Sequence, residues 1–169
     1  MTNGIVELRE FKAGDADLLV EYLNSPELSL HFAGNLPQPY KKSDAEWWIN
    51  EGSQQGIIRA ITYQGVLAGS IGIHPKRLVF SRGAEVGYWL AKKFWGLGIA
   101  SQVLQRLVDI AFSTTDLVRL QATVFERNKA SARVLEKSGF KLEGVLEKAV
   151  FKNGRFDNAA IYGRVKKSD

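Results

Sequence analysis

The 169-residue sequence contains no cysteine. That excludes disulfides, thiolate metal sites and a cysteine nucleophile, and no metal is expected. It also lacks any apolar run long enough to span a bilayer, so no membrane association is expected. Met1–Glu10 carries acidic residues where a signal peptide would carry an apolar core, which makes the cytoplasm the expected compartment. Internal repeats, low-complexity tracts and linkers are missing. What remains is 45% apolar and 24% charged, the composition of an ordinary globular protein. The length fits one domain, residues 1–169, with enough chain to bury a core. The net charge is +5 and the sequence pI about 9.5. Such a balance suits an anionic partner: nucleic acid, an acidic protein or a phosphorylated cofactor. It equally suits a solvated surface with a slight excess of lysine.

Periodicity and turn residues divide the chain. Val6–Phe11 reads as a strand, and Asp15–Asn24 as a helix with Asp15 as N-cap. Ser25–Lys42 reads as one long irregular stretch, broken by Pro26, Pro37 and Pro39. Ser43-Asp44-Ala45-Glu46 matches a capping box and opens a second helix through Trp47, Trp48 and Ile49. Gly56–Tyr63 and Val66–His74 form a hairpin around Gln64-Gly65. Ala84–Ala91 is a strand, Ile99–Phe112 an amphipathic helix, and Leu117–Phe125 another strand. Asn128–Ser138 is a helix with Asn128 as N-cap and Gly139 as its stop. Lys141–Phe151 and Arg155–Arg164 form a final hairpin around Asn153-Gly154. A helix between two strands predicts a parallel pair, Ala84–Ala91 with Leu117–Phe125. The fold class is α/β, with a mixed sheet.

The strongest chemical signal follows that first parallel strand. Trp95-Gly96-Leu97-Gly98-Ile99-Ala100-Ser101 is a glycine loop opening a helix. The first turn of a helix offers unpaired N–H groups and the positive end of the dipole. Two glycines let a phosphate approach the backbone, and Lys92 and Lys93 add charge nearby. A tight turn that merely needs two glycines explains the same residues. A Walker loop would need Gly-Lys-Ser/Thr, which is absent. A dinucleotide fingerprint would need a third glycine where Ser101 stands.

Three runs, in order, resemble the GNAT superfamily of N-acetyltransferases and its RimJ/RimL-like branch. The first is Glu85-Val-Gly-Tyr-Trp-Leu90 followed by Trp95-Gly-Leu-Gly-Ile-Ala100. The second is Asn128-Lys-Ala-Ser131, then Val134-Leu-Glu-Lys-Ser-Gly139-Phe140. The third is Leu142-Glu-Gly144-Val-Leu, then Asn153-Gly154 and a strand through Asp157 and Tyr162. The resemblance implies a mostly antiparallel central sheet with a splayed parallel pair, flanked by about four helices. It implies acetyl-CoA as cosubstrate. Tyr88, Trp89 and Leu90 would run beside the pantetheine arm, whose amides resemble a peptide. Trp95, Gly96, Leu97, Gly98, Ile99, Ala100 and Ser101 would hold the pyrophosphate through backbone N–H groups. Asn128 would meet the cofactor near its thioester end, and also serve as a helix cap. Arg133 and Lys137 would reach the adenosine end, or lie on a solvated helix face.

Acyl transfer to an amine calls for a base or a water path, an oxyanion donor and a proton for the leaving thiolate. Glu85 is the candidate base, directly or through water, and Ser131 the candidate acid. A surface glutamate and a small helix residue are the plainer readings of the same two positions. Three departures stand out. The family's acid, a tyrosine, is replaced by Leu135; a carboxylate used in some RimL-type enzymes is replaced by Val150; and the usual Gln/Arg at the loop's head is Trp95. On the acceptor side, His31, Phe32, Asn35 and Tyr40 occupy the long irregular stretch. His74 ends a strand, facing the cleft or buried against Trp89. Phe80, Tyr88 and Phe151 are candidate lining residues. Trp47 and Trp48 read as packing, since adjacent helical residues do not share a face.

The expected reaction is acetyl transfer to a primary amine, on a protein N-terminus or a small molecule, by direct attack in a ternary complex. A homodimer is compatible with this reading. The alternative is a non-catalytic acyl-CoA-binding or regulatory module of the same fold. Nucleic acid, suggested only by charge, ranks behind both.

Overall fold

The computed structural model describes residues 4–32 and 36–167. The described residues form seven strands and five α-helices. They are β1 (Val6–Arg9), α1 (Ala16–Leu23), α2 (Pro26–His31), α3 (Lys42–Asn50), β2 (Ile57–Tyr63), β3 (Val66–Pro75) and β4 (Gly83–Leu90). Then come α4 (Ile99–Thr114), β5 (Arg119–Phe125), α5 (Lys129–Lys137), β6 (Lys141–Lys152) and β7 (Arg155–Val165). The strand order is β1-β2-β3-β4-β5-β7-β6. β1–β2, β2–β3, β5–β7 and β6–β7 pair antiparallel. β4 and β5 pair parallel over three residues, from Gly83↔Arg119 to Glu85↔Gln121. That short register, on strands of eight and seven residues, is the expected splayed pair. Among the described residues no helix is long and apolar enough to cross a membrane.

The chain forms two compact units, residues 1–73 with 87–103, and residues 74–86 with 104–169. In the first, Leu19, Ile61, Leu67, Ile71 and Ile73 are fully buried. Tyr22 is buried too, and its hydroxyl donates to the Leu67 carbonyl at 3.1 Å. Gly69 lets β3 approach β4: a Cβ there would lie 2.0 Å from the Trp89 carbonyl oxygen. In the second unit, Leu104, Leu107 and Val108 on α4, Leu120 on β5 and Leu135 on α5 supply the core. Both hairpin turns use positive φ as Gln64-Gly65 and Asn153-Gly154 require, with φ of 51° and 78° in the first and 51° and 73° in the second.

Three expectations need correction. Among the described residues there are five α-helices, one more than the chain order predicted. The extra one is α2, inside the stretch read as irregular; Ser25 caps it, its hydroxyl accepting from Leu28 N–H at 3.4 Å, and Pro26 opens it. The expected capping box is out of register by two residues. α3 starts at Lys42, and the Asp44 carboxylate accepts the Lys41 amide at 2.7 Å. Finally, Asp15 stands at the N-cap position of α1 as expected, but its side chain makes no cap hydrogen bond there. Arg9 grips its carboxylate with two bonds of 2.7 Å, and Lys12 N–H donates at 2.9 Å. Burial alone would raise the Asp15 carboxyl; the guanidinium and the amide outweigh it and hold it below its usual value.

Candidate active site

The expected donor side lies in the first unit, where β4 ends. After Leu90 the chain makes one short turn, Lys92–Phe94, and Phe94 packs edge-on against Tyr22 and Tyr63. Trp95 then folds back, its indole N–H donating to the Leu90 carbonyl at 2.7 Å. Gly96 and Gly98 take φ of 75° and 73°, the left-handed region that other residues avoid. A Cβ at either would meet no protein atom within 4 Å. The glycines are therefore needed for backbone conformation, and the space beside them is open to a ligand. Gln102 N–H donates to the Gly98 carbonyl at 3.3 Å, closing the first turn of α4. The amides of Ile99, Ala100 and Ser101 lie ahead of that bond, at the positive end of a 16-residue helix. This backbone suits a pyrophosphate.

Helix α2 touches this loop twice. Glu27 pairs with Lys92 at 2.6 Å, and the His31 ring meets Trp95 at 6.2 Å, inclined 66°. The Lys92 ammonium holds the Glu27 carboxyl down to about 2. Lys93 lies 4.8 Å above the Tyr22 ring. The two lysines expected to supply charge to the loop thus already have partners. His31, an expected acceptor-side residue, is brought to the loop's head. Phe32 is half-buried. Tyr40 is buried, and Asn24 clasps its backbone N–H and carbonyl at 2.8 Å each. Burial, with Asp44 nearby, pushes the Tyr40 hydroxyl up to about 12. Asn35 lies outside the described residues. Trp48 packs edge-on against Phe11 at 6.0 Å, whereas Trp47 is half exposed and donates to Glu51 at 3.1 Å.

The second unit holds the carboxylate. Glu85 stands at the third position of β4, half-buried, opposite Gln121. Thr123 Oγ1 donates to Glu85 Oε1 at 2.8 Å. Lys76 Nζ lies 3.8 Å from Oε2 and donates to Gln121 Oε1 at 3.3 Å. Gln121 Oε1 also accepts from Arg119 at 3.3 Å, and Arg119 forms a two-bond pair with Glu143. That pair raises the Arg119 guanidinium above its usual value and lowers the Glu143 carboxyl. A polar row along β5 therefore supports Glu85. Sequence reasoning missed Thr123 and Lys76. The available signal was alternation: Arg119, Gln121 and Thr123 share one face of a strand.

At the start of α5, Asn128 Oδ1 accepts the Ser131 amide at 3.1 Å, so Asn128 is the cap that its position suggested. Ser131 is half-buried, and Arg133 and Lys137 are exposed. Arg133 borders a cavity of about 310 Å³ between α5 and the β6–β7 hairpin. Leu135 is fully buried, so the position of the family's tyrosine belongs to the core here. Val150 is half-buried on β6. His74 is exposed at the end of β3, so the alternative of burial against Trp89 does not hold. Phe80 and Phe151 are 69% and 66% exposed. Among the described residues no group of three or more His, Cys, Asp or Glu could hold a metal ion.

Comparison with known proteins agrees with this geometry. Residues 6–141 match the acetyltransferase (GNAT) domain family. The chain is 39% identical over 115 residues to YoaA of Bacillus subtilis (strain 168), an uncharacterized N-acetyltransferase; the match covers 68% of this chain and 63% of YoaA. It is 30% identical over 172 residues to YdaF of the same organism, which carries a provisional name as a ribosomal N-acetyltransferase; 98% of this chain and 93% of YdaF are covered. Among solved structures, RimL, a ribosomal L7/L12 α-N-protein acetyltransferase in complex with coenzyme A, aligns with a TM-score of 0.83 and 25% identity, covering 97% of this chain and 95% of RimL. The chain belongs to the GNAT family of N-acetyltransferases, on its RimJ/RimL-like side.

Proposed function

We propose that this protein moves the acetyl group of acetyl-CoA directly onto a primary amine, with both substrates bound at once. The observation that carries the donor half is the left-handed pair Gly96 and Gly98, leading into the amides of Ile99, Ala100 and Ser101. These residues would hold the pyrophosphate, and Tyr88, Trp89 and Leu90 would accompany the pantetheine arm. Asn128 Oδ1 is spent on the helix cap, which leaves its amide nitrogen as a donor for the cofactor. Lys137 would face the adenosine end.

The chemistry forms one bond and breaks one. The amine nitrogen attacks the thioester carbonyl, the new C–N bond forms, the C–S bond breaks, and the thiolate leaves. The amine's proton goes to Glu85, directly or through a water, and Ser131 relays a proton to the sulfur while taking one back from water, so no alkoxide is left. Holding the two reactants together supplies much of the rate, since aminolysis of a thioester is intrinsically favourable. His31, Phe32, Tyr40 and His74 are the proposed acceptor-side residues. Acceptors on ribosomal proteins, as the names of YdaF and RimL state for those proteins, support a protein N-terminal α-amine as the first acceptor to test, and the cytoplasm as the place of reaction. Small-molecule amines are the second class. The whole chain acts as one catalytic domain in this reading, and a homodimer is compatible with it.

Calorimetric titration with acetyl-CoA, then thiol release over a panel of peptides and small amines, tests the proposal. Saturable binding and release on at least one amine support it. Binding without release on any acceptor selects a non-catalytic acyl-CoA-binding module instead, a reading that the missing tyrosine at Leu135 favours. No binding removes both.

A further inference from the structure

The geometry points to Thr123 as the positioning residue of the Glu85 carboxylate, with Lys76 as a second, purely electrostatic tether. The inference rests on the reading of Glu85 as general base.

Glutamate is a poor base when its carboxylate wanders over several rotamers, because each wrong rotamer moves the accepting oxygen by ångströms. Glu85 is about one-third exposed, so packing alone does not fix it. The parallel register sets Glu85 against Gln121, and Thr123 stands two residues on, on the same face of β5. A glutamate side chain spans that offset, and the 2.8 Å bond from Thr123 Oγ1 is within the ordinary range for a hydroxyl donor. Threonine is β-branched and therefore stiff at χ1, which makes its hydroxyl a fixed point. Oε1 is thereby committed, and Oε2 is the oxygen that would accept the amine's proton.

Lys76 works differently. At 3.8 Å from Oε2 its ammonium is beyond hydrogen-bond length and acts through its field. Its hydrogen bond goes to Gln121 Oε1, which keeps it from closing on the accepting oxygen. The other charge facing Glu85 from β5 is Arg119, itself paired with Glu143 of β6.

Two measurements test this, on the whole chain. The first is the NMR resonance of the Glu85 carboxyl carbon at one neutral pH, identified by its loss in Glu85→Gln, in wild type, Thr123→Val and Thr123→Ser. Valine keeps the strand and the shape, so a thermal melt close to wild type is expected. Removing the hydroxyl should displace that resonance, and serine should restore it. An unmoved resonance in Thr123→Val overturns the inference. The second is the split between kcat and KM on the best acceptor from the panel. Thr123→Val should lower kcat about three- to tenfold with KM for acetyl-CoA unchanged, and Thr123→Ser should recover it. In a Glu85→Gln background the same change should have no further effect. A further loss there shows that Thr123 acts apart from Glu85 and overturns the inference. Wild-type kcat in Glu85→Gln removes the base itself, and a displaced resonance would then record only a structural contact, which also overturns it. Failure of the base reading and failure of the positioning claim are thus read by different variants.

Discussion

Gly98 separates two costs that usually arrive together. Its φ of 73° strains any other residue by about 1–2 kcal/mol, yet a Cβ there touches nothing in the protein. Gly98→Ala should therefore lower the melting temperature by only a few degrees. If a pyrophosphate lies against that backbone, the same methyl group should weaken acetyl-CoA binding about tenfold or more. Calorimetry beside a thermal melt measures both, and an unchanged Kd would remove the cradle. Glu27 makes a second residue-scale case. It holds Lys92 at 2.6 Å, beside the loop that an anion would enter. Glu27→Gln frees that cation, and acetyl-CoA should bind about two- to fivefold tighter at low salt, the gain fading at high salt. The sign with pH follows from the carboxyl, lowered to about 2. The pair stays ionised through the ordinary carboxylate range and breaks only as pH falls toward 2, so mild acid should not mimic the mutation. A Kd insensitive to both salt and substitution would show that Lys92 plays no part in anion binding.

Elements were legible in the sequence where their signals were local and long. α4, with sixteen residues and buried Val103, Leu104, Leu107, Val108 and Ala111 at helical spacing, could be read directly. So could both hairpins, whose turn residues dictate their geometry. α2 could not: six residues are too few for a period, and three prolines nearby argued for a loop. Yet Ser25-Pro26, a cap followed by proline at the first helical position, was the overlooked start signal. The glycine loop was legible because its conformation is set by consecutive residues. The support of Glu85 was not, because Lys76, just after β3, and Thr123, on β5, lie far apart in sequence, and only the fold unites them. The cap of α5 yields the prediction at this scale. Asn128→Ala should cost about 1 kcal/mol through the lost cap. Asn128→Asp keeps the accepting oxygen, and so should keep the melting temperature, but it replaces the amide donor with a charge. Acetyl-CoA affinity should then fall in both variants, stability only in the first. Unaltered affinity in Asn128→Asp would confine Asn128 to its structural role.

At the scale of the whole molecule, two compact units share two continuous elements. β4 passes from the second unit to the first between Val86 and Gly87, and α4 passes back between Val103 and Leu104. A helix is cooperative along its length, so melting its second half should fray its first. The proposed single catalytic domain requires that the units unfold together, and the tryptophans make this measurable. All four, Trp47, Trp48, Trp89 and Trp95, fall in the first unit. Leu107 is fully buried in the second. Leu107→Ala should cost roughly 2–5 kcal/mol, equivalent to about 5–15 °C in a chain of this size. If the molecule unfolds as one, tryptophan fluorescence should report that entire shift although no tryptophan shares a unit with the mutated residue. Circular dichroism should move with it, since two probes of one cooperative transition coincide. A fluorescence transition that stays in place while the dichroism curve splits would show two independent units.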